Sequence, residues 1–121
     1  MKNIGIDIDG VLCDSHSFAL KRFNQEHNTN YSKDDLYNYF FGKIAEEYGL
    51  KYTLDKFISY FKEDIPEYKF AEHAKSVLTK LKNSGLNLKV ITARSFDLKS
   101  VSESWILNYF GENFFEDIIF L

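Results

Sequence analysis

The chain has 121 residues, 45% of them hydrophobic, enough for one packed domain with or without a small insertion and too apolar for a disordered segment. Its net charge of -3, from 15 basic and 18 acidic residues, provides no basic field for holding a nucleic-acid polymer. The apolar runs are too short to span a bilayer, Met1-Lys2-Asn3 leads directly into a strand, and the single cysteine, Cys13, excludes an internal disulfide, so the expected location is the cytoplasm.

The first predicted element is a strand from Asn3 to Asp9. Ile4, Ile6 and Ile8 alternate with Gly5, Asp7 and Asp9, which puts the isoleucines on one face and both carboxylates on the other. Two like charges roughly 7 Å apart on one face of a strand repel unless a cation or a proton sits near them. The pattern therefore predicts a site at the strand end. Gly10 lets the backbone turn there, with its amides expected to face an anion.

A helix is expected from Ser15 to about His27, with Phe18, Ala19 and Phe23 inward, and Asn28-Thr29-Asn30 ends it. Ser32 with Asp35 makes a capping-box variant for a short second helix carrying Leu36, Tyr39 and Phe40. Thr53 is expected to cap a third, with Leu54, Phe57, Ile58 and Phe61 on its apolar face, and Gly42 and Gly49 to bracket the join between the two. The aromatic residues, 17% of the chain, concentrate between Tyr31 and Phe70, which marks this stretch as a separate layer.

Pro66 closes that stretch. The next helix is predicted from Ala71 to Ser84, with Ala71, Ala74, Val77, Leu78 and Leu81 inward and Gly85 as its stop. Leu86 to Thr92 reads as a strand entering a buried parallel sheet. Ala93-Arg94-Ser95 follows, then a helix defined by Leu98, Val101, Trp105 and Tyr109, capped by Ser95 or Asp97 and ended by Gly111. Asp117 to Leu121 is a third strand. Strands separated by helices make an α/β fold, and right-handed crossovers make the three strands parallel. Ligands in such sheets bind beyond the carboxyl ends of the strands, where Asp7, Asp9 and Thr92 all fall.

Asp7-Ile8-Asp9-Gly10-Val11-Leu12, with Val90-Ile91-Thr92-Ala93-Arg94 at the end of the second strand, resembles the first two motifs of the haloacid dehalogenase (HAD) superfamily. The likeness is to its phosphatases of the 5'(3')-deoxyribonucleotidase type. It implies a Rossmann-like parallel sheet, strands 1 to 3 of the HAD fold, formed by residues 1–13 and 71–121, and a helical cap, residues 14–70, inserted after strand 1.

The resemblance makes Asp7 the nucleophile of a Mg²⁺-dependent phosphomonoester hydrolase and Asp9 its general acid and base. Asp7 and Asp9, the latter through its backbone carbonyl, hold the metal. Gly10, Thr92, Ala93 and Arg94 bind the substrate phosphate, although for Arg94 a surface ion pair is an equal alternative. The substrate is a small phosphorylated molecule of the nucleotide kind. The family also carries a lysine and an acidic motif beyond the third strand, and no residue here matches either. That departure leaves two alternatives: a fragment, or a weakened relative that binds a phosphate ligand or a protein partner. A phosphotransferase is a third reading.

Strand 1 is also expected to present an open edge, and hence to self-associate. The aromatics Tyr37, Tyr39, Phe40, Phe41 and Tyr60 are expected mainly as packing, with one or two lining a cleft. Cys13 reads as a small buried hydrophobe, and His16, His27 and His73 show no ligand spacing.

Overall fold

The structure, a computed structural model, describes residues 2–36 and 41–121. Three parallel strands, β1 (Asn3–Ile6), β2 (Asn87–Thr92) and β3 (Asp117–Phe120), make one sheet in the order β1-β2-β3. Asn3 pairs with Asn87 and Ile6 with Val90, while Lys89 pairs with Asp117 and Thr92 with Phe120. β2 is therefore the central strand. It alternates in burial, with Leu88, Val90 and Thr92 fully inside. On the other face β1 and β2 lie close: a Cβ added to Gly5 would stand 2.6 Å from Cδ1 of Ile91, so that position has room for glycine alone unless Ile91 shifts.

β1 is shorter than its alternation predicts, because Oδ1 of Asp7 accepts a hydrogen bond from the Ile8 amide (2.7 Å). A side chain that satisfies the next backbone donor offers an alternative to the ladder. Ile8 nevertheless reaches the core at 0% exposure, and Asp7 and Asp9 belong to the segment leaving the sheet.

The chain divides into two compact units, residues 1–14 with 65–121, and residues 15–64. The second boundary falls earlier than the sequence reading put it. Residues 65–70 belong with the sheet because Ile65 and Tyr68 are buried there, the Tyr68 carbonyl accepts the indole N–H of Trp105 (2.9 Å), and Phe70 stacks on Trp105 and Tyr109 with centroids 4.0 and 4.5 Å apart.

The sheet unit carries α4 (Ala74–Asn83) and α5 (Lys99–Phe110). α4 begins later than expected, after His73 in the left-handed region (φ 66°). Its register then leaves Val77 at 52% exposure and buries only Leu78. α5 follows a 3-10 turn over Phe96–Leu98 that Ser95 caps, its Oγ accepting from the Asp97 amide, while α5 itself begins after Leu98 with neither Ser95 nor Asp97 as its cap. Its inner face is Ser102, Trp105, Ile106 and Phe110 with Leu98 before it, one step round from the expected Val101 and Tyr109.

The other unit is α1 (Ser15–His27), α2 (Gly42–Tyr48) and α3 (Leu50–Asp64) around Ala19, Leu20, Phe23, Ile44, Phe57 and Tyr60. Asp35 closes the capping box by accepting from the Ser32 amide (2.8 Å), but the helix it opens is a 3-10 turn over Lys33–Asp35, and the expected continuation through Tyr37, Tyr39 and Phe40 lies outside the described residues. Where a join was expected between Gly42 and Gly49, the structure has α2. Thr53 does not cap α3; it lies inside it, and its buried hydroxyl donates back to the Gly49 carbonyl (2.8 Å).

Candidate active site

The parallel register of β1 and β2 brings the ends of both strands to one edge of the sheet, so Asp7 and Asp9 leave it beside Thr92. Asp7 is exposed, and one of its oxygens is occupied by the Ile8 amide. The turn that follows is closed by its own backbone. The Ile8 carbonyl accepts from the amides of Val11, Leu12 and Cys13 at 3.2, 2.8 and 3.1 Å, and the Gly10 amide donates to the Cys13 carbonyl at 2.8 Å.

This differs from the expectation that the Gly10 turn offers open amides to an anion. Gly10 contributes its positive φ of 83°, which the turn requires, and its N–H is spent inside the turn. Cys13 is buried at 1% exposure, and the Leu12 carbonyl accepts the Ala71 amide (2.7 Å), tying the turn to the segment before α4.

At the end of β2, Oγ1 of Thr92 accepts from the Arg94 amide (3.1 Å). A hydroxyl that accepts one hydrogen bond still carries its own proton, so Thr92 can donate to a phosphoryl oxygen that reaches it. Thr92 itself is buried, at 1% exposure. Ala93 lies in the same bend between Thr92 and Arg94.

Arg94 departs furthest from what its place in the sequence suggests. It is neither at the surface nor turned outward: its side chain is 4% exposed and grips Asp9. Nε lies 3.0 Å from Oδ2 and 3.3 Å from Oδ1 of Asp9, and Nη2 lies 2.8 Å from Oδ1. Nη1 donates to Oγ of Ser102 (2.9 Å), and the guanidinium carbon sits 5.2 Å from the Trp105 ring centroid. Ser102 and Trp105 were absent from the sequence reading as site residues. A serine on the buried face of a helix beginning just after Arg94 was the signal available, since a buried hydroxyl needs a partner.

The donor set fits a Mg²⁺ ion: Asp7 supplies an exposed carboxylate and the Asp9 main chain a carbonyl. Mg²⁺ binds through one or two carboxylates and keeps several waters and phosphoryl oxygens for its remaining positions. No cluster of three His, Cys, Asp or Glu side chains able to hold a metal occurs among the described residues. No helix among the described residues is long and apolar enough to cross a membrane.

No protein-family profile and no curated protein sequence matches the chain. Solved structures do. One described as a predicted phosphatase from Clostridium acetobutylicum is 21% identical with a TM-score of 0.63, over 97% of this chain and 59% of its own. A HAD-superfamily hydrolase, subfamily IA, from Geobacter sulfurreducens is 19% identical with a TM-score of 0.60, over 99% and 62%. A HAD hydrolase from Bacillus subtilis bound to magnesium is 16% identical with a TM-score of 0.60, over 97% and 63%. The likeness is one of fold, and the chain spans about three fifths of the length of each.

Proposed function

We propose that this chain, which shares its fold with HAD-superfamily hydrolases, is a Mg²⁺-dependent phosphomonoesterase acting on a small phosphorylated substrate of the nucleotide class. The observation that carries this reading is the convergence of Asp7, Asp9 and Thr92, from two strands far apart in sequence, at one end of the sheet.

In this reading a carboxylate oxygen of Asp7 attacks phosphorus in line. The bond from phosphorus to the ester oxygen breaks as an aspartyl phosphate forms. Asp9 delivers a proton to the departing alkoxide, then takes one from the water that attacks the phosphoryl group, which releases orthophosphate and regenerates Asp7. Thr92 donates its hydroxyl to a phosphoryl oxygen, and the backbone around Ala93 and Gly10 shapes the pocket. Mg²⁺, when bound, neutralises phosphoryl charge and orients the ester.

The helical unit, residues 15–64, is the substrate-selecting insertion, and the protein works in the cytoplasm as an association of copies through the β1 edge. The nucleotide class rests on the likeness of the two motifs to deoxyribonucleotidases, and the cytoplasm on a single, buried cysteine.

Turnover of an aryl phosphate with Mg²⁺ tests the mechanism. Asp7→Asn is expected to lower kcat by about 10³-fold or more, as loss of a covalent nucleophile does. Activity indifferent to that substitution overturns the assignment. A second reading, a phosphate-binding module without turnover, is favoured by the Asp9 carboxylate being engaged by Arg94. Calorimetric binding of inorganic phosphate with no hydrolysis at any Mg²⁺ concentration would select it.

A further inference from the structure

We infer that Arg94 is a positioning residue that acts on the reaction through Asp9 and Thr92, and that it does not itself grip the substrate phosphate. The inference rests on the phosphatase reading above and assigns Arg94 a different role in it.

The geometry of the guanidinium carries the argument. Its Nε and Nη2 form a fork on the Asp9 carboxylate, and Nη1 is directed to Ser102, so all three nitrogens are engaged within the protein. Bidentate recognition of a phosphate needs two such donors on one edge. The Nε–Nη2 edge is closed to a phosphate unless Arg94 releases Asp9, and the two N–H groups left on Nη1 and Nη2 belong to the same inward-turned side chain. With its side chain 4% exposed and packed over Trp105, Arg94 faces the protein interior.

The same geometry leaves Asp9 able to work. A carboxylate has about four lone-pair sites, and the fork uses those on the side facing Arg94. The Asp9 side chain remains 26% exposed, so the carboxylate can be reached from solvent. Fixing the plane of that carboxylate removes two torsions that would otherwise have to be ordered when the proton is transferred.

Arg94 is held in turn. Trp105 beneath it is pinned by its indole N–H to the Tyr68 carbonyl, and Ser102 lies on the same helix, α5. Through its main chain Arg94 also donates to Oγ1 of Thr92. One residue therefore sets the direction of two groups, the carboxylate at the end of β1 by its side chain and the hydroxyl at the end of β2 by its amide.

Steady-state kinetics on an aryl phosphate, with the inhibition constant of inorganic phosphate, separates the roles in the full chain. Arg94→Ala is expected to lower kcat about tenfold or more, with KM and the phosphate inhibition constant within about twofold. In the Asp9→Asn background the same substitution is expected to change kcat no further, since residues acting as one unit are not additive. Arg94→Lys keeps the charge without the fork and is expected to restore kcat only in part.

Should Arg94→Ala fail to fold, Ser102→Ala carries the test. It leaves the Asp9 fork in place and is expected to lower kcat about two- to threefold at unchanged KM. A raised KM and weakened phosphate inhibition at constant kcat, or additive losses in the double variant, overturn the proposal while leaving the phosphatase reading standing. A wild-type chain that binds phosphate but does not turn over overturns that reading, and this proposal with it.

Discussion

Tyr60 and Glu26 show how a single hydroxyl sets a pH dependence. Tyr60, at 1% exposure, donates to Oε1 of Glu26 (2.9 Å), and this bond, with Arg22 acting after it, holds the Glu26 carboxyl below the ordinary glutamate range. Burial, and then Glu26 itself, pushes the Tyr60 phenol upward. A carboxyl whose folded value is lowered contributes stability that is present above its unfolded value and disappears as pH falls through the lowered one. Tyr60→Phe is therefore expected to cost about 1 kcal/mol at neutral pH. Part of that difference should vanish in acid, once Glu26 is protonated. Urea unfolding of both proteins at neutral pH and in acid measures it; a gap that does not shrink in acid contradicts the assignment.

At this same scale the site was partly readable from the residues. Two aspartates flanking one isoleucine and followed by a glycine form a local pattern, and Thr92 ends an apolar strand, so each could be found without knowing its neighbours. The grip of Arg94 on Asp9 joins residues 85 positions apart and depends on the side-chain directions of a helix not yet placed. Nor could the sequence say that the Gly10 amide would be consumed inside its own turn. That depends on the Ile8 carbonyl serving three donors at once, a property of the closed backbone.

Among the elements, α1 and the end of α3 are joined by Arg22, whose guanidinium meets Glu26 (3.0 Å), Glu63 (2.7 Å) and Asp64 (2.9 Å) and lies over the Tyr60 ring at 4.5 Å. All three acids draw the Arg22 value further upward, Asp64 most, so the cation persists at any working pH. Isolated exposed pairs contribute little, but one cation held by three anions forms a network, and removing it leaves the acids facing one another. Arg22→Met is expected to lower stability by about 1–2 kcal/mol at low salt, and by less at 1 M salt, where the Debye length falls to about 3 Å. A loss that is equal at both salt concentrations would mean packing, not charge, is responsible.

The elements themselves were legible in proportion to their periodicity. β2 and α5 carry long regular patterns and were found, although α5 turned out rotated by one position, because Ser102 faces inward to meet Arg94 where a purely apolar pattern would put Val101. α2 was missed because its seven residues bury only Gly42 and Ile44, too few to show a period, while its flanking glycines imitate a loop. Thr53 reads as a cap because its hydroxyl suits that role; mid-helix, the hydroxyl satisfies a carbonyl one turn back instead.

For the molecule as a whole, the alternation of strand and helix was enough to establish a parallel α/β sheet, since parallel strands need long crossovers and the chain has them. The strand order leaves β1 at an edge, paired on its other side with no strand among the described residues. Exposed edges of this kind template pairing between chains. Light scattering over a concentration series is expected to show a mass above that of one chain at high concentration, reduced when Lys replaces Ile4, which is half-buried on that strand. A single-chain mass throughout the series would exclude association through this edge.

The division into units carries a consequence for the order of events at the ribosome. Asn3 is synthesised about eighty residues before its partner Asn87, at a few to some twenty residues per second. Residues 15–64 form one uninterrupted unit and emerge entirely within that interval. The unit of residues 15–64 can thus complete its own packing during translation, while β1 and the two aspartates that follow it wait for β2 before they are fixed in place.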